Sequence, residues 1–140
     1  MTPAKRVMAL DYGTKRIGVA VSDPLGITAQ PVGKILRRNI QADLKEIQER
    51  VREYNVRVLV VGLPRRTDGT EGPEAKAVRD FIEKLGKVLD IEIDTWDEWF
   101  TTREAQRVLI DAGVRRERRK EAVDSMAASL ILQGWMEANG

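Results

Sequence analysis

Apolar positions along the chain change their period several times, and each change marks an element. "KRVMALD" and "RIGVAVSD" are short β-rich runs around "YGTK", a pattern that predicts a hairpin. "GITAQPVGKILRR" supplies a third strand, and Pro31, which has no backbone N–H to donate, places it at a sheet edge. Ile40, Leu44, Ile47, Val51 and Tyr54 then recur at helical spacing, so Gln41 to Glu53 is expected as an amphipathic helix. "VRVLVVGLP" is almost wholly apolar, the mark of a strand covered on both faces. After the loop "RRTDGTEGP", Ala77, Val78, Phe81, Ile82 and Leu85 mark a second helix. "IEIDTWDE" alternates as a strand does. In "TTREAQRVLIDAG", Thr101 and Glu104 have capping-box spacing and Gly113 is a natural stop. A last helix follows the basic run "RRERRK", from about Arg118 to about Ala138.

The order is therefore β-β-β-α-β-α-β-α-α. One helix links the first three strands to "VRVLVVGLP" and another links that strand to "IEIDTWDE". Such crossovers imply a parallel central core. The early hairpin adds antiparallel strands. The expected architecture is α/β, a mixed five-stranded sheet with helices on both faces. No internal repeat or linker divides the chain, so residues 1–140 read as a single domain.

Composition narrows the chemistry. There is no cysteine and no histidine. That excludes thiolate and imidazole zinc sites, serine–histidine and cysteine–histidine nucleophiles, and any disulfide framework. Hydrolytic chemistry must then rest on carboxylates, lysine, hydroxyls or an oxygen-ligated metal. The net charge is only +2, so positive charge offered to a polyanion has to be local. "MTPAKRVMAL" lacks the apolar core of a signal peptide, and no run approaches membrane-spanning length, so a soluble, cytoplasmic protein is expected.

Sites in such sheets form beyond the carboxyl ends of the parallel strands. Asp11 ends the first strand, Arg65, Arg66 and Asp68 follow "VRVLVVGLP", and Asp97 and Glu98 end "IEIDTWDE". If these strands are parallel neighbours, the groups meet at one edge. By alternation Asp97 shares a face with Ile91 and Ile93, while Glu98 shares one with Glu92 and Asp94. In the last helix, Ala128, Ile131 and Trp135 follow Asp124 at face-sharing offsets, so Asp124 stands where the apolar pattern wants a hydrophobe. A buried carboxylate needs a cation or hydrogen-bond donors. Carboxylates from three elements suit a hard divalent cation such as magnesium, which in turn suits phosphodiester cleavage. The pairs Lys15 and Arg16, and Arg65 and Arg66, flank this edge as phosphate contacts, with the run Arg115 to Lys120 as a further basic candidate. Trp135 reads as core. Trp96 and Trp99 lie beside the acidic edge, where packing or base stacking would suit them.

"ALDYGTKRIGVAVSD", "VVGLPRRTDGTEG", "DEWFTT" and "AVDSMAASLILQGW" resemble, in order and across nearly the whole chain, the motif blocks of the YqgF family. These are bacterial proteins of the ribonuclease H-like superfamily, described as Holliday junction resolvases and as pre-16S rRNA nucleases. The resemblance implies a ribonuclease H-like fold and a carboxylate triad, carried here by Asp11, Glu98 and Asp124, that binds magnesium or manganese. It is the resemblance, not periodicity, that selects Glu98 over Asp97. The family usually has Asp-Glu-Arg-Leu where this chain has Asp97, Glu98, Trp99 and Phe100, and a small polar residue near Arg66. The implied function is divalent-metal-dependent nuclease action in processing the 5′ end of pre-16S rRNA during ribosome biogenesis. The alternatives are resolution of branched DNA and a catalytically silent RNA-binding module. "DYGT" also resembles the phosphate loop of sugar kinases and actin-like ATPases, but the chain has no second lobe to close on a nucleotide. RNA versus DNA, and monomer versus dimer, stay open at this level.

Overall fold

A computed structural model describes residues 6–65, 68–98 and 116–139, with side chains in the last helix described from Met126 onward. The elements are β1 (Arg6–Tyr12), β2 (Arg16–Ser22), β3 (Ala29–Leu36), α1 (Ile40–Glu53), β4 (Val56–Pro64), α2 (Pro73–Val88), β5 (Glu92–Glu98) and α3 (Arg116–Asn139). The helix expected in "TTREAQRVLIDAG", together with Arg66, Trp99 and the side chains of Arg115 to Lys120 and Asp124, lies outside the described residues.

The strands form one sheet in the order β3-β2-β1-β4-β5. β1 pairs antiparallel with β2, and β2 with β3, whereas β1 with β4 and β4 with β5 are parallel. The expected mixed five-stranded sheet is thus formed, and β3, with Pro31, lies at its edge. Both crossovers run through a helix, as parallel neighbours require.

Alternation along the strands builds two cores, one on each face. Met8, Leu10, Leu59, Val61 and Leu63 pack with Ile47 and Val51 of α1 and with Val78, Phe81 and Leu85 of α2. On the opposite face Ala9, Ala20 and Val60 meet Ala128, Ile131 and Leu132 of α3. The small side chains on this second face let α3 lie close against the sheet.

Local chemistry sets the helix ends. The Asn39 side chain accepts a hydrogen bond from the Ala42 amide at 2.9 Å, capping α1. Asn55, just beyond that helix, takes φ 53, a left-handed conformation that asparagine tolerates. Pro73 opens α2, where a missing N–H costs nothing. One helix-face assignment is corrected. Ala77, expected among the inward positions of α2, is exposed, and Ala75 is fully buried instead. Ala75, Val78 and Leu85 complete the stripe around Phe81. An alanine is apolar enough to fit either face, so its type did not decide which one it took.

Candidate active site

Pairing carries side-chain parity across the sheet. Ala9 of β1 lies level with Val60 of β4, and Val60 with Asp94 of β5. Two residues on, the same face carries Asp11, Gly62 and Trp96, and Glu98 follows at the end of β5. This is the face that α3 covers. Glu98 and Asp11 sit on strands separated by β4, yet their carboxyl groups share a hydrogen bond. The intervening residue explains the reach. A Cβ placed on Gly62 would lie 2.9 Å from Glu98 Oε2 and 2.5 Å from Ile131 Cδ1. Glu98 therefore folds back over Gly62 to meet Asp11, beneath Ile131 of α3.

The electrostatics of the pair are adverse without a cation. Burial, then the Asp11 charge and the shared hydrogen bond, push the Glu98 carboxyl up from its ordinary 4.5 to about 9. Two acidic groups held together away from water keep a proton between them unless a positive charge replaces it. The donor set suits a hard divalent ion: Asp11 and Glu98 offer carboxylate oxygens, and the glycine cradle holds one of them in place. Among the described residues no group of three or more acidic side chains is gathered for a metal ion. The third expected carboxylate is Asp124. It belongs to α3, one helical turn before Ala128, and its side chain is outside the described residues.

The flanking groups separate into two sets. Lys15 lies in the β1–β2 turn and Arg16 opens β2, both beyond the carboxyl end of β1, and Lys15 is exposed. Arg65, just past β4, is tied down: its Nε donates to Asp97 Oδ1 at 3.0 Å and its Nη1 to Glu71 Oε2 at 3.3 Å. Arg79 grips the same Glu71 with two hydrogen bonds. These contacts hold the Glu71 carboxyl below, and the Arg79 guanidinium above, their ordinary values. Asp97 is thus exposed and spent on Arg65, while Glu98 turns inward. Asp68 accepts from the Thr70 amide and hydroxyl, a turn-forming role.

The profile of the RuvX family, described as Holliday junction resolvase, matches residues 5–138. The chain belongs to that family. RuvX and YqgF denote one family, so the resemblance read from the motifs is borne out. A relative from Moorella thermoacetica is 50% identical over 135 residues, covering 96% of each chain. One from Halothermothrix orenii is 49% identical over 131 residues, covering 94% of each. Both carry the name "Putative pre-16S rRNA nuclease". Among solved structures, Thermus thermophilus RuvC in complex with a Holliday junction substrate matches with TM-score 0.57 at 12% identity, over 96% of this chain and 95% of its own. Fowlpox virus resolvase with Holliday junction DNA matches with TM-score 0.57 at 14% identity, over 96% and 98%. At such identities the likeness concerns the fold, which is ribonuclease H-like.

Within this RuvX-family chain, two glycines matter that the sequence reading passed over. Gly62 makes room for Glu98. Gly134 of α3 makes room for Trp96, whose ring carbons and Nε1 would lie 2.8–2.9 Å from an added Cβ. The available signal was a glycine inside an otherwise apolar strand, a mark of close approach. Trp96 therefore packs rather than standing free for a base. Trp135, read as core, is half-buried in the α3 core cluster and donates its Nε1 proton to Asp94 Oδ2 at 2.7 Å.

Proposed function

We propose that this protein is a divalent-metal-dependent nuclease that hydrolyses phosphodiester bonds in precursor 16S rRNA, toward formation of its 5′ end. The observation that carries the reading is the half-buried, hydrogen-bonded Asp11–Glu98 pair at the carboxyl edge of the parallel strands. Family membership and the names of relatives nearly half identical support the substrate class.

Asp11, Glu98 and Asp124 would hold magnesium or manganese. When bound, that ion supplies an activated water and screens the charge of the scissile phosphate. Asp11 contributes rigidity, because it lies within the β1–β2 ladder opposite Gly18. Glu98 contributes a carboxylate whose direction is set by the Gly62 cradle. Lys15 and Arg16, with Arg65 on the opposite flank and Arg66 next to it in sequence, bind the phosphate backbone and set its register on the edge. In this reading the protein acts on its nucleic acid in the cytoplasm.

The test is a cleavage panel. Precursor 16S rRNA segments, single-stranded RNA, single-stranded DNA and a four-way DNA junction are incubated with and without magnesium or manganese. Metal-dependent cutting of the precursor, lost in Asp11→Asn, is the expected result. Cutting confined to the DNA junction would replace the RNA assignment by a resolvase. Binding without turnover in any metal would leave a silent RNA-binding module.

A further inference from the structure

Asp43 is the acidic side chain in the buried stripe of α1. It is fully buried and shares that stripe with Ile47 and Val51, at helical offsets where an apolar residue would ordinarily stand. A carboxylate so placed needs partners. Asp43 Oδ1 accepts from the Arg38 amide at 3.1 Å, and Oδ2 accepts from Arg37 Nε at 3.3 Å. Capping of α1 accounts for the first bond. It does not account for the second, because Arg37 is directed away from α1 toward the turn that follows Asp11.

Arg37 fastens that turn at several points. Its Nη1 donates to the Gly13 carbonyl at 3.1 Å, and its own amide donates to the Lys15 carbonyl at 3.0 Å. Its guanidinium lies 4.5 Å from the centroid of the Tyr12 ring, a cation–π distance. That ring is itself 4.5 Å from the ring of Phe81 in the core. The turn has little slack of its own: a Cβ on Gly13 would lie 2.6 Å from the Arg16 carbonyl oxygen. Arg37 is thus wedged between a buried carboxylate and residues Tyr12 to Lys15, immediately after Asp11.

We propose that Arg37, oriented by Asp43, is a positioning residue that holds the Tyr12–Lys15 turn and thereby fixes Asp11 and the neighbouring Lys15 and Arg16. The proposal rests on the nuclease reading for what Asp11 does, but not for the mechanical claim. A planar fork suits this task, since one guanidinium serves a carboxylate, a carbonyl and a ring face at once. Arg37 is a brace, not a phosphate contact.

The experiment compares wild type, Arg37→Met, Asp43→Asn and the exposed control Arg57→Met. Hydrogen exchange of segment 12–16 is measured without metal, Mn2+ affinity is titrated directly, and kcat and KM are measured on the best substrate of the panel. Melting temperature identifies folded variants. Asp43→Asn keeps shape and an acceptor, so it serves if Arg37→Met does not fold. In folded variants the exchange of segment 12–16 should quicken while β4 is unchanged. Mn2+ affinity and kcat should each fall about 10-fold, the usual cost of removing a group that orients a ligand, with KM nearly constant. Arg57→Met should match wild type throughout. Unchanged exchange in a folded Arg37→Met or Asp43→Asn protein overturns the proposal, even if wild type neither cuts nor binds Mn2+. A rise in KM alone also overturns it, by making Arg37 a substrate contact. If wild type fails to cut any substrate while segment 12–16 loosens as expected, the nuclease reading falls and the brace stands.

Discussion

Glu98 occupies the space that a side chain at position 62 would need. Its Oε2 lies 2.9 Å from where a Cβ on Gly62 would be, and its Cδ lies 3.3 Å away. The acidic pair exists because the strand between its members carries nothing at that point. Gly62→Ala should therefore displace Glu98 toward solvent and push Ile131. Overpacking of this kind costs about 1–3 kcal/mol. Cleavage and metal affinity should fall far more than that loss of stability explains. Melting curves and Mn2+ titration of Gly62→Ala, beside Gly134→Ala as a packing-only control, check this.

The pH dependence of the metal-free protein follows from the same pair. Glu98 ionises near 4.5 when unfolded and at about 9 when folded, so between those values the folded chain holds a proton that the unfolded chain has lost. The contribution to stability is present in full below 4.5 and disappears as pH rises toward 9. Asp11 is the charge facing Glu98 in the described structure, while Gly62 and Ile131 carry none. Melting temperature without metal should fall across this window, and Glu98→Gln should flatten the decline. A wild-type profile as flat as that of the variant would count against the coupled pair.

Asp11→Asn preserves shape and one oxygen but removes the charge. Metal-dependent cleavage should be abolished with the fold intact. Nucleic-acid binding without metal should hold or improve, because a carboxylate facing phosphates repels them until a cation screens it. Its metal-free melting temperature at alkaline pH should exceed that of wild type, since Glu98 no longer meets a like charge. Asp124→Asn should likewise lose cleavage. Parallel assays of cutting, metal-free binding and melting decide the matter, and retained cutting by Asp11→Asn would refute the mechanism.

Arg65 is held by acidic partners, so its availability to phosphate depends on them. Glu71→Gln should loosen both Arg65 and Arg79, tighten RNA binding and steepen its decline with salt. Replacing Arg65 and Arg66 together by alanine should flatten that slope. Arg57→Ala, exposed at the start of β4 and far from the carboxyl edge, is the control. Arg37 would be a poor control, because its guanidinium is structural. Equal slopes for all variants would remove the loop after β4 from the binding surface.

Periodicity along the chain specified the described strands and helices, their order and the sheet's parallel centre. Periodicity distinguishes half-buried helices from strands, and a helix between two strands dictates a parallel crossover. From there Asp11 and Glu98 could be sent to one edge. Parity alone did not choose between Asp97 and Glu98. The isoleucines at 91 and 93 made the Asp97 face look like the buried one, and only family resemblance pointed to Glu98. In the tertiary structure it is Glu98, not Asp97, that meets Asp11. Both faces of β5 are only partly covered, and the face that carries Glu98 is lined by Asp94 and Trp96, which find their partners in Trp135 and Gly134 of α3. The roles of Gly62 and Arg37 were likewise decided only by packing. A glycine's value lies in the neighbour that fills its missing side chain, and an arginine's in the carbonyls and carboxylate within its reach. Both depend on distances between segments far apart in the chain, which no local pattern encodes.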